Sequence, residues 1–252
     1  MAVSEPMNGH SAGSTTTITH SSPFLPPRNG EQTRQALVIL NSPIRSPPSP
    51  LFQKLWDSCC FHVCADGGAN RLYRADPGLL PDLIRDSNDL DKALSAILQK
   101  KSMDTQQQQY TRIIIYGAFG GRFDQEMASI QALYKWGPQF QNRLVLIDDN
   151  TSAVLLPAGV KNEIRMPRYG DQTGKQQKDL GEGPTCGLIP IGTKCEKIVT
   201  TGFKWNLDGT IPLEFGGLVS TSNHLSEEVA TVEASHPLVF TAEVACGIED
   251  VF

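Results

Sequence analysis
Apolar residues gather into strand-length runs in the first half of the chain and into shorter, turn-broken stretches in the second. The runs are Ala36-Leu37-Val38-Ile39-Leu40, Phe61 to Ala65, Arg112-Ile113-Ile114-Ile115-Tyr116 and Leu144-Val145-Leu146-Ile147. Apolar runs of this length without polar alternation fit parallel strands covered on both faces. Helical stripes lie between them. Leu90, Ala93, Leu94, Ile97 and Leu98 recur at i, i+3, i+4, i+7 and i+8. Phe123, Met127, Ile130 and Tyr134 form a second stripe, and a short helix over Ala69 to Arg74 is expected after the second run. Strand and helix alternate to about residue 150, which predicts a parallel α/β sheet over 34–150.

From Ser152 onward no helical stripe is evident. Ala153-Val154-Leu155-Leu156, Leu188-Ile189-Pro190-Ile191, Leu213-Glu214-Phe215 and Leu238-Val239-Phe240-Thr241-Ala242 are separated by Gly, Pro, Asn and Asp. Short strands with frequent turn signals read as a sandwich or barrel, and we expect an all-β sandwich domain over 151–252. The polar stretch Tyr169 to Gly183 reads as a loop. Residues 1–33, rich in Ser, Thr, Pro and Asn, read as a disordered tail. Their one Arg, Arg28, beside Glu5 and Glu31, argues against a transit peptide.

Charge narrows the partners. With 19% charged residues and a net charge of −5, the chain lacks the basic bias of nucleic-acid binders. No apolar run approaches the roughly 20 residues that span a bilayer. The six cysteines form no C-x-x-C pair. Cys60, His62 and Cys64 have a spacing that a metal site can use, but they sit in an apolar strand, where a thiol packs as a small hydrophobe. The expectation is a reduced, intracellular protein of the cytoplasm.

Candidate chemistry lies where apolar strands run out. Asp66-Gly67-Gly68 follows the second run and opens a helix. Two glycines admit a ligand to the backbone, and helix-terminal N–H groups favour anions. A plain turn with Asp66 as N-cap explains the same residues. Gly117-Ala118-Phe119-Gly120-Gly121-Arg122-Phe123-Asp124 is sharper: Arg122 can grip phosphate bidentately, and Asp124 can hold Mg²⁺ or a hydroxyl. A capping role accounts for Asp124 but not for Arg122. Asp86-Ser87-Asn88-Asp89-Leu90-Asp91 places three acids at a helix start, where acids also serve the dipole. Trp205 offers a stacking surface for a cationic ring or a core aromatic, and Ser220-Thr221-Ser222-Asn223 lines a pocket or makes a turn.

In order along the chain, five segments resemble thiamine pyrophosphokinases of the eukaryotic type. They are Asp66 to Arg71, Gly120 to Gln125, Cys186 to Gly192, Thr201 to Leu207 and Phe215 to Asn223. The resemblance implies Mg²⁺-dependent transfer of pyrophosphate from ATP to thiamine, giving thiamine diphosphate and AMP, in a homodimer whose subunits share the active site. It implies catalytic roles for Asp89, Arg122 and Asp124, and metal binding by Asp86, Asp89 and Asp124. Nucleotide contacts fall to Gly120, Gly121, Arg122 and Gln125. Substrate contacts fall to Asp66, Gly67, Gly68, Asn70, Trp205, Ser220, Thr221, Ser222 and Asn223, with Trp205 stacking on thiamine from the partner subunit. One departure stands out. The family's Gly-Asp-x-Asp-Ser motif is absent, because Pro81-Asp82-Leu83-Ile84 runs almost directly into Arg85-Asp86. A few dozen residues, including a helix and a strand, are missing. That gap predicts weakened or lost turnover. A non-catalytic thiamine- or nucleotide-binding subunit is the alternative.

Overall fold
The four apolar runs become the parallel strands β2 (Gln35–Ile39), β3 (Phe61–Ala65), β5 (Arg112–Tyr116) and β6 (Leu144–Ile147) in a computed structural model that describes residues 16–25, 34–85, 90–103, 110–166 and 181–245. A short fifth strand, β4 (Leu83–Arg85), extends the sheet beside β3. The connecting helices are α1 (Pro50–Ser58), α2 (Gly68–Ala75), α3 (Leu90–Met103) and α4 (Phe123–Trp136). The α1 helix carries no long stripe. It is set by its start, where Pro50 follows Ser49 and the Ser49 hydroxyl accepts the Phe52 N–H.

Alternate residues of each strand feed opposite faces. Ala36 and Val38 join the core under α3 and α4, whereas Leu37 and Ile39 join the one under α1 and α2. Ile113 and Ile115 divide from Ile114 and Tyr116 in the same way. This two-sided burial is why the strands read as continuous apolar runs.

Beyond β6 the chain turns back into β7 (Thr151–Leu156), which pairs antiparallel with it. The sheet continues through β13 (Leu238–Ala245), β9 (Gly181–Ile189) and β11 (Ser220–His224), nine strands in the order β11-β9-β13-β7-β6-β5-β2-β3-β4. A second sheet joins β1 (Thr17–Ser21), β8 (Lys161–Arg165), β12 (Val229–Ala234) and β10 (Ile198–Thr201). A third core, which includes Leu156, Ile164, Ile198, Val232 and Phe240, fills the space between the sheets. The expected α/β region and the expected sandwich are both present. The boundary near residue 150 falls within one continuous sheet, at the β6–β7 turn.

Three expectations are corrected. Residues 1–33 are not wholly a disordered tail: Thr17–Ser21 pairs with β8, and buried His20 hydrogen-bonds Asn162 at 3.1 Å. Arg112 donates to the Ser21 carbonyl at 2.8 Å, so tertiary contacts hold a segment with no apolar period. The loop expected over Tyr169 to Gly183 ends early, since β9 begins at Gly181; residues 169–180 lie outside the described residues. Leu213-Glu214-Phe215 is not a strand. Leu213 makes only isolated bridges, to Cys195 and Leu218, and Phe215 is 68% exposed.

Candidate active site
The parallel strands run in the order β6-β5-β2-β3-β4, so the chain reverses its winding direction between β2 and β5. Ligands of open α/β sheets bind outside the carboxyl ends of the strands at such a switch point. A cleft of ≈ 570 Å³ opens there. Asn41 and Ser42 after β2, Asp66 after β3 and Gly117 to Phe119 after β5 form one side of its lining; Gly121, Arg122, Gln125 and Glu126 form the other.

Asp66 adopts φ +52°, the left-handed region that few residues other than glycine enter. Strain of that kind persists where the surroundings impose it, often at a binding site. Here the imposing contact is visible. Asn41 Nδ2 donates to Asp66 Oδ2 at 2.9 Å, and Arg71 Nε donates to Asn41 Oδ1 at 2.9 Å. Asp66 is therefore not the helix cap: Gly67 occupies that position without a side-chain bond. Gly68 lets α2 start hard against β2, because a Cβ there would sit 2.4 Å from the Ile39 carbonyl oxygen. Gly67, Gly68 and Asn70 are not among the residues that line the cleft.

On the far wall Arg122 Nη2 and Nε donate to Asp124 Oδ2 and Oδ1 at 2.6 and 3.0 Å. The Arg122 hydrogen bond holds the Asp124 carboxyl below the usual carboxylate range. Asp124 does not line the cleft, and the N-cap of α4 is Arg122, not Asp124. Gly120 (φ +76°) and Gly121 direct their N–H groups to Glu126 Oε1 at 3.0 and 3.2 Å. Beneath this turn lies Asp148, whose pKa is pushed up by burial and, to a lesser degree, by Asp149 and Glu126. Asp149 is tied to Ser49, Tyr116 and Arg45.

The other expected substrate residues form a second group. Asn223 bonds the backbone of Trp205, and Ser220 packs beside Asn223. Trp205 is 56% exposed, with the Lys204 ammonium 4.6 Å from its ring centroid. Thr221 and Ser222 are exposed, and none of these residues lines the cleft. Asp86 and Asp89 lie outside the described residues.

Sequence reasoning missed Asn41, Glu126 and Asp148. Asn41 is legible in hindsight as the first polar residue after an apolar strand, the position that already singled out Asp66. Asp148 carries the same signal after Ile147, whereas Glu126 carries none. Burial pushes the thiols of Cys59, Cys64 and Cys186 up to about 12, which suits packing rather than metal binding. His62 spends its ring nitrogens on Asp82 and the Trp56 carbonyl. Among the described residues no three His, Cys, Asp or Glu side chains gather as a metal site. No helix of the described residues is long and apolar enough to cross a membrane.

Fold and cleft together define an open-sheet α/β protein with a recess at its switch point, joined to a β-sandwich. Residues 84–146 match the family described as thiamin pyrophosphokinase, catalytic domain, and residues 162–239 match thiamin pyrophosphokinase, vitamin B1 binding domain. Thiamine pyrophosphokinase 1 of Oryza sativa subsp. japonica is 35% identical, covering 89% of this chain and 97% of its own. Thiamine pyrophosphokinase 1 of Arabidopsis thaliana is 35% identical over 89% and 92% of the two chains. The structure of thiamin pyrophosphokinase from Candida albicans superposes with a TM-score of 0.67 at 24% identity, covering 97% and 95%, and so shares the fold. The chain belongs to the thiamine pyrophosphokinase family. The rice alignment runs over 278 positions, more than the 252 residues present here, so the relative carries residues without counterpart in this chain.

Proposed function
We propose that the chain is a thiamine diphosphokinase. The thiamine hydroxyl oxygen attacks the β-phosphorus of ATP and forms a new O–P bond. The bond from that phosphorus to the bridging α,β-oxygen breaks, AMP leaves with its electrons, and the hydroxyl proton is released. The observation that carries this reading is the presence, in one chain, of the catalytic-domain match and the vitamin B1 binding match, each on its own part of the fold.

The residues fit roles in such a transfer, which depends on positioning and on charge neutralisation. Arg122 lines the cleft and can trade Asp124 for a phosphate, since guanidinium binds either bidentately. Gly120, Gly121 and Gln125 would face the phosphate chain. Asp66, held by Asn41, would orient the acceptor. Magnesium fits the donor chemistry: Asp66 presents hard carboxylate oxygens at the cleft, and Mg²⁺ needs only one or two when phosphates complete its shell. Asp86, Asp89 and Asp124 are the further acids the resemblance assigns to it. When bound, the metal neutralises phosphate charge. Trp205 and Ser220 to Asn223 stand apart from the cleft of their own chain, which supports a homodimer in which the partner supplies the thiamine platform. We place the reaction in the cytoplasm on cysteine usage.

The missing acidic motif favours turnover below that of a full-length relative, and at its limit a binding subunit without catalysis. The test is to incubate the chain with thiamine, ATP and Mg²⁺ and to follow thiamine diphosphate and AMP together. Equal amounts of both products support the reading, and ADP in place of AMP overturns it. Thiamine binding without either product from a folded sample leaves the binding subunit as the function.

A further inference from the structure
The cationic and positively polarised groups of the glycine turn are already occupied, and by carboxylates of the same helix. Two successive N–H groups, Gly120 and Gly121, converge on the single oxygen Glu126 Oε1 at 3.0 and 3.2 Å. Beside them Asp124 takes both arms of Arg122. Successive N–H groups converging on one oxygen are the geometry of an anion nest.

Glu126 is more than a cap for its helix. The donors that α4 leaves unpaired begin at its N-cap, Arg122, whereas Gly120 and Gly121 precede that position. Its carboxylate also stays at the nest beside a second acid, since Asp148 Oδ2 lies within van der Waals reach of a Cβ placed on Gly120. Both Glu126 and Gly121 face the cleft. A phosphate oxygen and Glu126 Oε1 cannot share these two N–H groups, because each N–H serves one strong acceptor and two anions at contact repel.

We propose that Glu126 is an intramolecular stand-in for a phosphate group: it holds the glycine turn in its binding shape in the free protein and leaves it when a triphosphate arrives. On the nucleotide reading given above, Glu126 then determines affinity for the phosphate chain, not for the base, and lowers it.

Calorimetric titration tests this without thiamine, so that nothing turns over. The wild type, Glu126→Ala and Glu126→Gln are each titrated with ATP, AMP and inorganic tripolyphosphate in the presence of Mg²⁺. Glu126→Ala is expected to bind ATP and tripolyphosphate about three- to tenfold more tightly, the size of one relieved charge contact, with AMP unchanged. Glu126→Gln keeps an acceptor without the charge and falls between. Weaker ATP binding by Glu126→Ala, restored by Glu126→Gln, overturns the proposal in favour of turn positioning alone. Equal ATP affinity for all three proteins overturns it while leaving the nucleotide reading intact. Tighter tripolyphosphate binding with no ATP binding by any of them supports the stand-in and sinks the nucleotide reading.

Discussion

Asn223 clamps the backbone of Trp205 at both ends: its Oδ1 accepts the Trp205 N–H at 3.2 Å, and its Nδ2 donates to the Trp205 carbonyl at 2.9 Å. Asn223 is itself buried, at 5% exposure, while the indole it supports stands out in solvent. A residue expected to touch substrate thus holds the backbone of its neighbour in place. Asn223→Ala takes a side-chain partner from three backbone groups, the Trp205 N–H and carbonyl and the His224 N–H, at a cost of about 1–3 kcal/mol. The thiamine KM is expected to rise while the ATP KM holds. Steady-state kinetics with each substrate varied in turn check this, and an equal rise in both KM values would point to general loosening of the fold.

Trp205 makes little contribution to stability, because more than half of it is already exposed. Trp205→Ala is expected to leave the melting temperature within about a degree and to weaken thiamine binding about tenfold, the scale of one stacked cation. Trp205→Phe recovers part of that. Thiamine titrations followed by calorimetry, beside thermal melts of the same proteins, give both quantities.

Among the described residues the side chain of Arg122 pairs with exposed Asp124, and its part in starting α4 is made by its backbone. Arg122→Ala is expected to fold normally and to lose about 10²-fold in kcat, the usual cost of one transition-state charge donor. Arg122→Lys should restore only a small part, since an ammonium cannot reproduce the bidentate fork. Full activity in Arg122→Lys would mean that charge alone matters here.

Arg112 anchors the N-terminal strand from inside. Its guanidinium donates to the Gln35 side chain at 2.7 Å and to the Ser21 carbonyl at 2.8 Å, and its charge faces buried Glu182. Arg112→Ala leaves that acid without its counter-charge and is expected to cost about 3 kcal/mol. Denaturant melts measure the loss, and proteolysis should cut first near Thr17–Ser21.

Asp91 makes the α3–α4 contact sensitive to acid. Burial alone would raise its pKa, but hydrogen bonds from Lys135 and Trp136, with the Lys135 charge, outweigh that and hold it below the usual carboxylate range. A depressed carboxyl adds stability that is full above its unfolded value of about 3.9 and is lost as pH falls through the folded value. Asp91→Asn is therefore expected to flatten the loss of stability below about pH 4. Melts of both proteins between neutral pH and the acid range test it.

Much of the α/β sheet was legible because its strands are buried on both faces, so Phe61–Ala65, Arg112–Tyr116 and Leu144–Ile147 begin and end where their apolar runs do. Thr17–Ser21 was not legible, since its partner β8 lies far along the chain and only pairing gives that polar segment an ordered state. The reverse holds for Leu213-Glu214-Phe215, whose apolar residues meet no strand ladder. In the cleft, Asp66, Gly121, Arg122 and Gln125 carried local signals: glycines at strand ends and charges at helix starts. Asn41 and Asp148 also follow apolar runs, but the order that sets their strands beside those of Asp66 and Gly117 is a matter of pairing, of which short-range pattern carries no record.

By itself the sequence determined the alternation of strand and helix, the change to short strands near residue 150 and the two glycine loops that border the cleft, because each is a local periodicity or a local break in one. Tertiary structure alone decided that a single sheet runs through both halves, that Asn223 serves Trp205, and that Glu126 rather than Asp124 sits at the nest. Those outcomes depend on which backbone donors and acceptors come within about 3 Å of one another, a condition set by packing between distant segments and not by their order in the chain.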